Sequence, residues 1–422
     1  MDKYIIKGNK KLKGNVTISG SKNAALPLIA ASILSKGITI LLNVPDLKDI
    51  HTMLQVIKVL GAEYEFDTEK KILTINTEKI KTHIAPYELV KTMRASIYVL
   101  GPLLARIGKA DVSMPGGCAI GPRPVNLHIK AMEDLGAKIT FEEGFIKARV
   151  KKLKGNEIIF EKVSVGATAN AIMAAVMATG KTVIKNAALE PEIGELIDFL
   201  NKMGANIKGK DSDTLYIKGV SKLKPIKYKV MPDRIEAGTF LIAGLITKSK
   251  ISLKNVIPEH IEALITEIKN MGVSLKIKDN SITIKNIPSR LETLYIKTAP
   301  YPGFPTDLQA PITSLLSTVK GISVINETIF ENRFMHIAEL NRMGADIDVE
   351  GNIAIIKGGK KLTGATVMAS DLRAGAALVI AALAARKETT IERIYHIDRG
   401  YENLETKLKK IGADIIRVKG GN

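Results

Sequence analysis

The sequence predicts a mixed α/β protein of six similar repeats, grouped as two lobes of three, and three observations predict it. First, a short apolar-Gly-apolar signature recurs at Leu60-Gly61-Ala62, Leu135-Gly136-Ala137, Met203-Gly204-Ala205, Met271-Gly272-Val273, Met343-Gly344-Ala345 and Ile411-Gly412-Ala413. Its glycines stand 75, 68, 68, 72 and 68 residues apart. Second, an alanine-rich stretch of helical period precedes each glycine. Third, Ile5–Gly14 reads IIKGNKKLKG and Ile355–Gly364 reads IIKGGKKLTG, identical at eight of ten positions. A fixed period of this length marks a repeat architecture.

The alanine-rich helices are expected at 22–34, 94–105, 166–178, 234–246, 307–316 and 373–385. Small residues on nearly every face fit helices packed together in an interior. A second helix in each repeat, such as 193–203 or 261–271, runs into the signature glycine, which suits a left-handed C-terminal turn. Alternating strands such as 206–208 and 72–75 follow. The last repeat stops after one strand, 414–418, so the N-terminal strands at 4–6 and 16–18 are expected to complete it. The chain would then cross between lobes near Ser21 and Val230, after the Lys- and Pro-bearing stretch 221–229. That places lobe 1 at 22–230, with a Cys118 loop, and lobe 2 at 1–21 and 231–422, with a hinged cleft between them.

Composition narrows the classes of function. With 45% hydrophobic and 25% charged residues, the chain of 422 reads as an ordinary globular protein. A single cysteine permits no internal disulfide. The N-terminus lacks the apolar core of a secretory signal, and the apolar run at 374–385 is far below the ~20 residues of a membrane helix. The expectation is a soluble, cytoplasmic protein. The net charge of +19 comes from 49 lysines and 13 arginines spread along the chain. Such a diffuse excess reads first as a solvated surface. Nucleic-acid binding favours a basic stripe with interleaved aromatics, and aromatics are only 5% here, with no Trp. An enzyme for anionic small molecules would instead focus a few cations at one site.

The repeats show where such a focus lies. Aligned interior helices begin at Lys22, Arg94, Gly166, Arg234, Asp307 and Arg373. A cation at a helix N-terminus opposes the macrodipole by ~0.3–1 kcal/mol. Either each pairs with an adjacent acid, as Asp233 or Asp371 allows, or cations and free N–H groups converge on anions. The sharpest irregularity lies in the second repeat. Gly37 to Gly61 and Gly180 to Gly204 each span 24 residues, but Gly108 to Gly136 spans 28. The excess falls in 114–128, where three glycines and three prolines exclude regular structure. This loop holds Cys118 with Arg123 nearby, and a neighbouring cation favours a reactive thiolate. His128 beside it offers a ligand or an acid, but a surface or capping role suits it better. Asp307, after the turn 301–306, is a helix cap or takes a different task from its sisters. Glu331 with Arg333, and Asp398 with Arg399, read as ordinary salt bridges or as site groups. Residues 162–168 read as a strand entering a Gly/Thr turn. No phosphate loop, dinucleotide fingerprint or metal-ligand spacing is present, so neither a metal nor a cofactor is expected.

These residues resemble the enolpyruvyl transferases over essentially the whole chain. The likeness rests on Ser21-Lys22-Asn23-Ala24, the Pro115–Gly121 loop with Cys118, Arg123-Pro124-Val125, Lys162–Thr168, Pro305-Thr306-Asp307, Phe330–His336 and Asp371-Leu372-Arg373. It implies two inside-out α/β barrel lobes, each of three βαβαββ units. It also implies transfer of an enolpyruvyl group from phosphoenolpyruvate to the 3-hydroxyl of UDP-N-acetylglucosamine, the first committed step of peptidoglycan synthesis. By this resemblance Lys22, Arg123 and Arg399 hold phosphoenolpyruvate, with Arg333, Asp371 and Arg373 close by. Asn23, Arg94, Arg123, Pro124, Val125, Asn126, Leu127, Lys162, Val163, Ser164, Val165, Asp307 and Ile329 line the UDP-sugar site. Cys118 is the proton donor and the target of fosfomycin, and Asp307 the candidate base. The partners implied are these two small molecules, not nucleic acid or a membrane.

One departure stands out: many members carry Asp where this chain has Asn126, which bears on nucleotide affinity. The sister activity, on shikimate 3-phosphate, shares fold and donor but lacks the Gly-Gly-Cys loop. A basic repeat scaffold binding nucleic acid is the non-enzymatic alternative.

Overall fold

The computed structural model describes residues 1–91, 93–114 and 125–420. They divide into two compact units, one formed by the described residues of 20–231 and the other by 1–19 with 232–420. Each unit carries three four-stranded sheets. All six sheets follow one pattern: an edge strand runs parallel to its neighbour, and the remaining two pair antiparallel. The strands stay in separate sheets; among the described residues none closes into a hydrogen-bonded barrel.

The interior helices occupy Lys22–Ala31, Leu100–Ile107, Val165–Ala175, Arg234–Ile246, Gln309–Leu316 and Leu372–Ala384. Short 3-10 turns extend three of them, at Ser32–Leu34, Arg94–Val99 and Thr306–Leu308. Their small residues do what the sequence requires of them. Every residue from Arg373 to Leu383 is buried, and in the second unit three interior helices pack on one another. Gly101 shows why a larger residue would not serve: a Cβ there would stand 2.5 Å from the Asn170 carbonyl oxygen. The sheets lie outside the helices, with alternate residues turned out. In Thr214–Lys218, Leu215 and Ile217 are buried while Tyr216 and Lys218 are exposed. Each unit is therefore built inside-out, with helices at the centre.

The second helix of each repeat is amphipathic. Pro191–Lys202 buries Ile193, Leu196, Ile197 and Leu200, spaced three and four apart, each side chain contributing ~1.5–3 kcal/mol. The signature glycines end these helices at φ between 86° and 110°. At the first, Gly61 N–H donates to the Lys58 carbonyl and Ala62 N–H to the Ile57 carbonyl, a paired closure that needs a left-handed residue.

The N-terminal strands divide differently from the expectation. Strand Lys3–Lys7 completes the sixth repeat, between Glu388–Glu392 and Asp414–Val418. Strand Gly14–Thr17 instead joins the fourth repeat, parallel to Ile251–Lys254. The reason is the repeat itself. After each hairpin the chain passes to the edge of a neighbouring sheet, as Lys227–Lys229 passes to Ile38–Leu42 in the first unit. The matched decapeptides mark equivalent places in that path. Gly8 and Gly358 each press against carbonyls at the end of an interior helix, where a Cβ would come within 2.3 and 2.1 Å.

Candidate active site

In the 20–231 unit, Lys22 is the first residue of its helix, whose Ser21 hydroxyl accepts from the Ala24 N–H. The Lys22 ammonium donates to Asp49 Oδ2 at 2.9 Å, with only 10% of its side chain exposed. A buried ammonium needs such a partner, and Asp49 escaped the sequence reading because it belongs to a separate helix. Asn23 follows Lys22, and half-buried Arg94 opens the 3-10 turn Arg94–Val99. Residues 162–164 form no strand; they run directly into the helix Val165–Ala175. Ser164 caps that helix, accepting from the Ala167 N–H at 3.3 Å. Lys162 and Val163 are exposed, and Ser164 and Val165 half-buried. Val125 is buried, Asn126 begins the helix Asn126–Asp134 with an exposed side chain, and Leu127 is half-buried. Cys118, Arg123 and Pro124 lie outside the described residues.

His128 contradicts the surface or capping role expected of it. It is buried, and its Nδ1 accepts from Asn170 Nδ2 at 2.9 Å. That assignment follows because the same amide nitrogen donates to the Ile97 carbonyl while Asn170 Oδ1 accepts from the Gly101 N–H. The ring proton is therefore on Nε2, which lies against Gly166 near the start of the 165–175 helix. Burial, with Arg94 adding to it, pulls the imidazole down to about 3. Since the unfolded histidine titrates near 6.5, the neutral buried ring costs stability as pH falls from about 6.5 towards 3. Nitrogen-15 NMR should show His128 neutral, with its proton on Nε2, from pH 8 to 5; a midpoint near 6.5 would contradict this geometry.

The other unit holds a second group, and here two repeats contribute to one contact. Asp307 Oδ1 accepts from Arg333 Nη2 at 2.7 Å and Oδ2 from Arg373 Nη2 at 2.8 Å. Both guanidinium side chains are nearly inaccessible, at 3% and 5%, against 28% for the carboxylate. Burial alone would raise the Asp307 carboxyl, but Arg373 and Arg333 outweigh it and hold it well below the usual carboxylate range. The Arg373 guanidinium also stacks over the Tyr401 ring at 5.4 Å, and Tyr401 is fixed by a 2.9 Å bond to the Thr239 hydroxyl. The Arg373 Nη1 is buried with no hydrogen-bond partner among the described residues. A buried donor of this kind costs ~1–3 kcal/mol unless something accepts from it, which suits an anionic ligand.

The acids beside the arginines in sequence have roles of their own. Asp371 caps its helix, accepting from the Arg373 and Ala374 N–H groups, and Asp233 caps the helix that begins at Arg234. Asp398 takes a two-pronged bond from Arg417 at 2.9 and 2.7 Å. Half-buried Arg399 ends the 3-10 turn Ile394–Arg399. Half-buried Ile329 donates its N–H to Glu327. Asp307, Arg333, Asp371 and Arg373 are thus brought together, while Tyr401, Thr239 and Glu327 were not foreseen. A Tyr two residues beyond Arg399 and an acid two before Ile329 were the only signals. Among the described residues no cluster of His, Cys, Asp or Glu is arranged to hold a metal ion. Nor is any helix long and apolar enough to cross a membrane.

Comparison with known proteins agrees with this architecture. Residues 6–408 match the family described as EPSP synthase (3-phosphoshikimate 1-carboxyvinyltransferase). A UDP-N-acetylglucosamine 1-carboxyvinyltransferase of Geobacter metallireducens is 54% identical, covering 99% of this chain and 100% of that protein. A protein of the same name from Thermodesulfovibrio yellowstonii is 53% identical with the same coverage. Among solved structures, the enolpyruvyl transferase NikO from Streptomyces tendae superposes with a TM-score of 0.90 at 23% identity, over 100% of this chain and 99% of that one. EPSP synthase from Acinetobacter baumannii gives 0.77 at 20% identity, over 99% and 100%. At such identities the structures speak for the fold, and the full-length relatives for descent: the chain belongs to the enolpyruvyl transferase family.

Proposed function

We propose that this chain transfers the enolpyruvyl group of phosphoenolpyruvate to the 3-hydroxyl of UDP-N-acetylglucosamine, releasing phosphate, and so opens peptidoglycan synthesis. The observation that carries the reading is identity above half with full-length relatives bearing that activity's name. The Asp307 carboxylate between two buried arginines supports it from the site. Arginine forks suit carboxylate and phosphate oxygens, and Lys22, Arg123, Arg333, Arg373 and Arg399 are the groups assigned to the donor. Cys118 protonates the methylene carbon, leaving an electrophilic centre at the carbon bearing phosphate. The sugar hydroxyl attacks that carbon and loses its proton to a base, for which Asp307 is the candidate. Loss of a methyl proton from the resulting ketal, with cleavage of the bond to the phosphate oxygen, gives the enol ether and inorganic phosphate. Asn126 and Ile329 belong to the UDP-sugar contacts, together with the runs at 123–127 and 162–165.

Mass and proton NMR spectra of the product test this directly. The expected product is the UDP sugar carrying one enolpyruvyl group on its 3-oxygen; recovery of unchanged UDP sugar beside consumed phosphoenolpyruvate would contradict it. Fosfomycin should inactivate the protein, and Cys118→Ser should abolish that inactivation; an unchanged rate would remove the thiol from the scheme.

A further inference from the structure

Glu327 is 2% exposed, at the end of strand Gly321–Asn326, and no salt bridge neutralises it among the described residues. An ionised carboxylate in such a place is tolerated only when hydrogen bonds replace its water. Glu327 has four. Its Oε1 accepts from the Thr298 hydroxyl at 2.8 Å, the Ile329 N–H at 2.8 Å and the Phe330 N–H at 3.2 Å. Its Oε2 accepts from the Thr306 hydroxyl at 2.8 Å. Thr298 is itself tied back, since its hydroxyl accepts from the Thr328 N–H and its carbonyl from the Thr328 hydroxyl. Glu327 also donates its own N–H to the Asn352 carbonyl.

Three of the four donors come from two segments that carry site groups. Thr306 directly precedes Asp307. Ile329 and Phe330 lead into Arg333, whose guanidinium grips Asp307 and sits over the Phe330 ring at 5.3 Å. One carboxylate thus fastens the backbone on both sides of the Asp307–Arg333 pair. It does so through neutral donors, which leave the charges of both arginines directed at Asp307.

We propose that Glu327 is a positioning residue for the transfer reaction, setting Asp307 through the Thr306 hydroxyl and setting Ile329 and Arg333 through two backbone amides. The proposal rests on the assignment of Asp307, Ile329 and Arg333 to the substrate site. The two arms predict separable kinetic effects. The Thr306 arm acts on the group assigned to the sugar hydroxyl, so its loss falls on kcat. The amide arm acts on Ile329, so its loss falls on KM for the UDP sugar. Misplacing a reacting group by about 1 Å costs up to ~100-fold in rate.

The test measures steady-state kinetics and the thermal midpoint for Thr306→Val, Glu327→Gln, Glu327→Ala and Asp307→Asn. Thr306→Val removes a single donor at nearly constant volume and should lower kcat about 10-fold or more, with KM for UDP-N-acetylglucosamine within about twofold. Glu327→Ala should lower kcat and raise that KM together. Glu327→Gln should restore KM towards the parent value, because an amide oxygen still accepts from the two N–H groups. A purely structural pin would lower the midpoint of all three variants and leave the KM-against-kcat split unmoved. That result, alongside an inactive Asp307→Asn, would overturn the positioning role while leaving the site assignment in place. Full activity in Asp307→Asn would overturn the site assignment, and this inference with it.

Discussion

Asp307→Asn is expected to lower kcat by about 10²–10⁴, the usual contribution of a positioned acid or base. The substitution keeps shape but removes the capacity to take a proton. It also leaves one amide oxygen where two carboxylate oxygens receive Arg333 and Arg373. One nearly inaccessible guanidinium then loses its countercharge, and breaking a buried pair from one side costs ~3–5 kcal/mol. The variant should therefore unfold at a lower denaturant concentration than the parent. The pH dependence has a definite sign. Asp307 is held below its ordinary value, so its stabilisation is complete above the unfolded carboxylate pKa, ~3.9, and is lost as pH falls further. The parent should lose more stability below about pH 4 than Asp307→Asn does; parallel curves would refute the ion-pair account. A carboxylate so strongly paired is a weak base, and a base role for it requires an arriving anion to draw Arg333 and Arg373 away.

Arg373→Lys should raise KM for phosphoenolpyruvate by about 10–100-fold, the worth of one charge-assisted hydrogen bond at ~1.5–3 kcal/mol. Lysine keeps the positive charge but not the planar fork. In the parent, one arm of the fork bonds Asp307, the other is buried without a partner among the described residues, and the plane lies over Tyr401. A lysine ammonium cannot fill all three roles. Initial rates with each substrate varied in turn would show the effect. KM for the UDP sugar should change by no more than a few-fold, since Arg373 is assigned to the donor. An equal rise in both constants would place Arg373 elsewhere.

How legible the molecule was in its sequence depended on distance along the chain. The signature glycines adopt the left-handed turn their position required, and the alanine-rich stretches are the buried helices. These are local consequences of backbone freedom and side-chain size. Strand Gly14–Thr17 was misplaced because composition does not say which sheet receives an edge strand; only the path after each hairpin does. In the site, Asp307 stood out as an acid among sister cations. Its partners did not, since Arg333 and Arg373 lie 26 and 66 residues away. Adjacency pointed instead to Asp371 with Arg373. An N-cap carboxylate is short enough to reach the N–H groups of its own helix, whereas arginine's long side chain reaches across to another repeat. Glu327 gave no signal beyond its place two residues before Ile329, because its value lies in four donors that converge only after folding.

Phosphate release from phosphoenolpyruvate, followed with UDP-N-acetylglucosamine and then with shikimate 3-phosphate as acceptor, tests the central claim most directly. Release that depends on the UDP sugar and is absent with shikimate 3-phosphate is the predicted result. Release with shikimate 3-phosphate alone, or with neither acceptor, would contradict it.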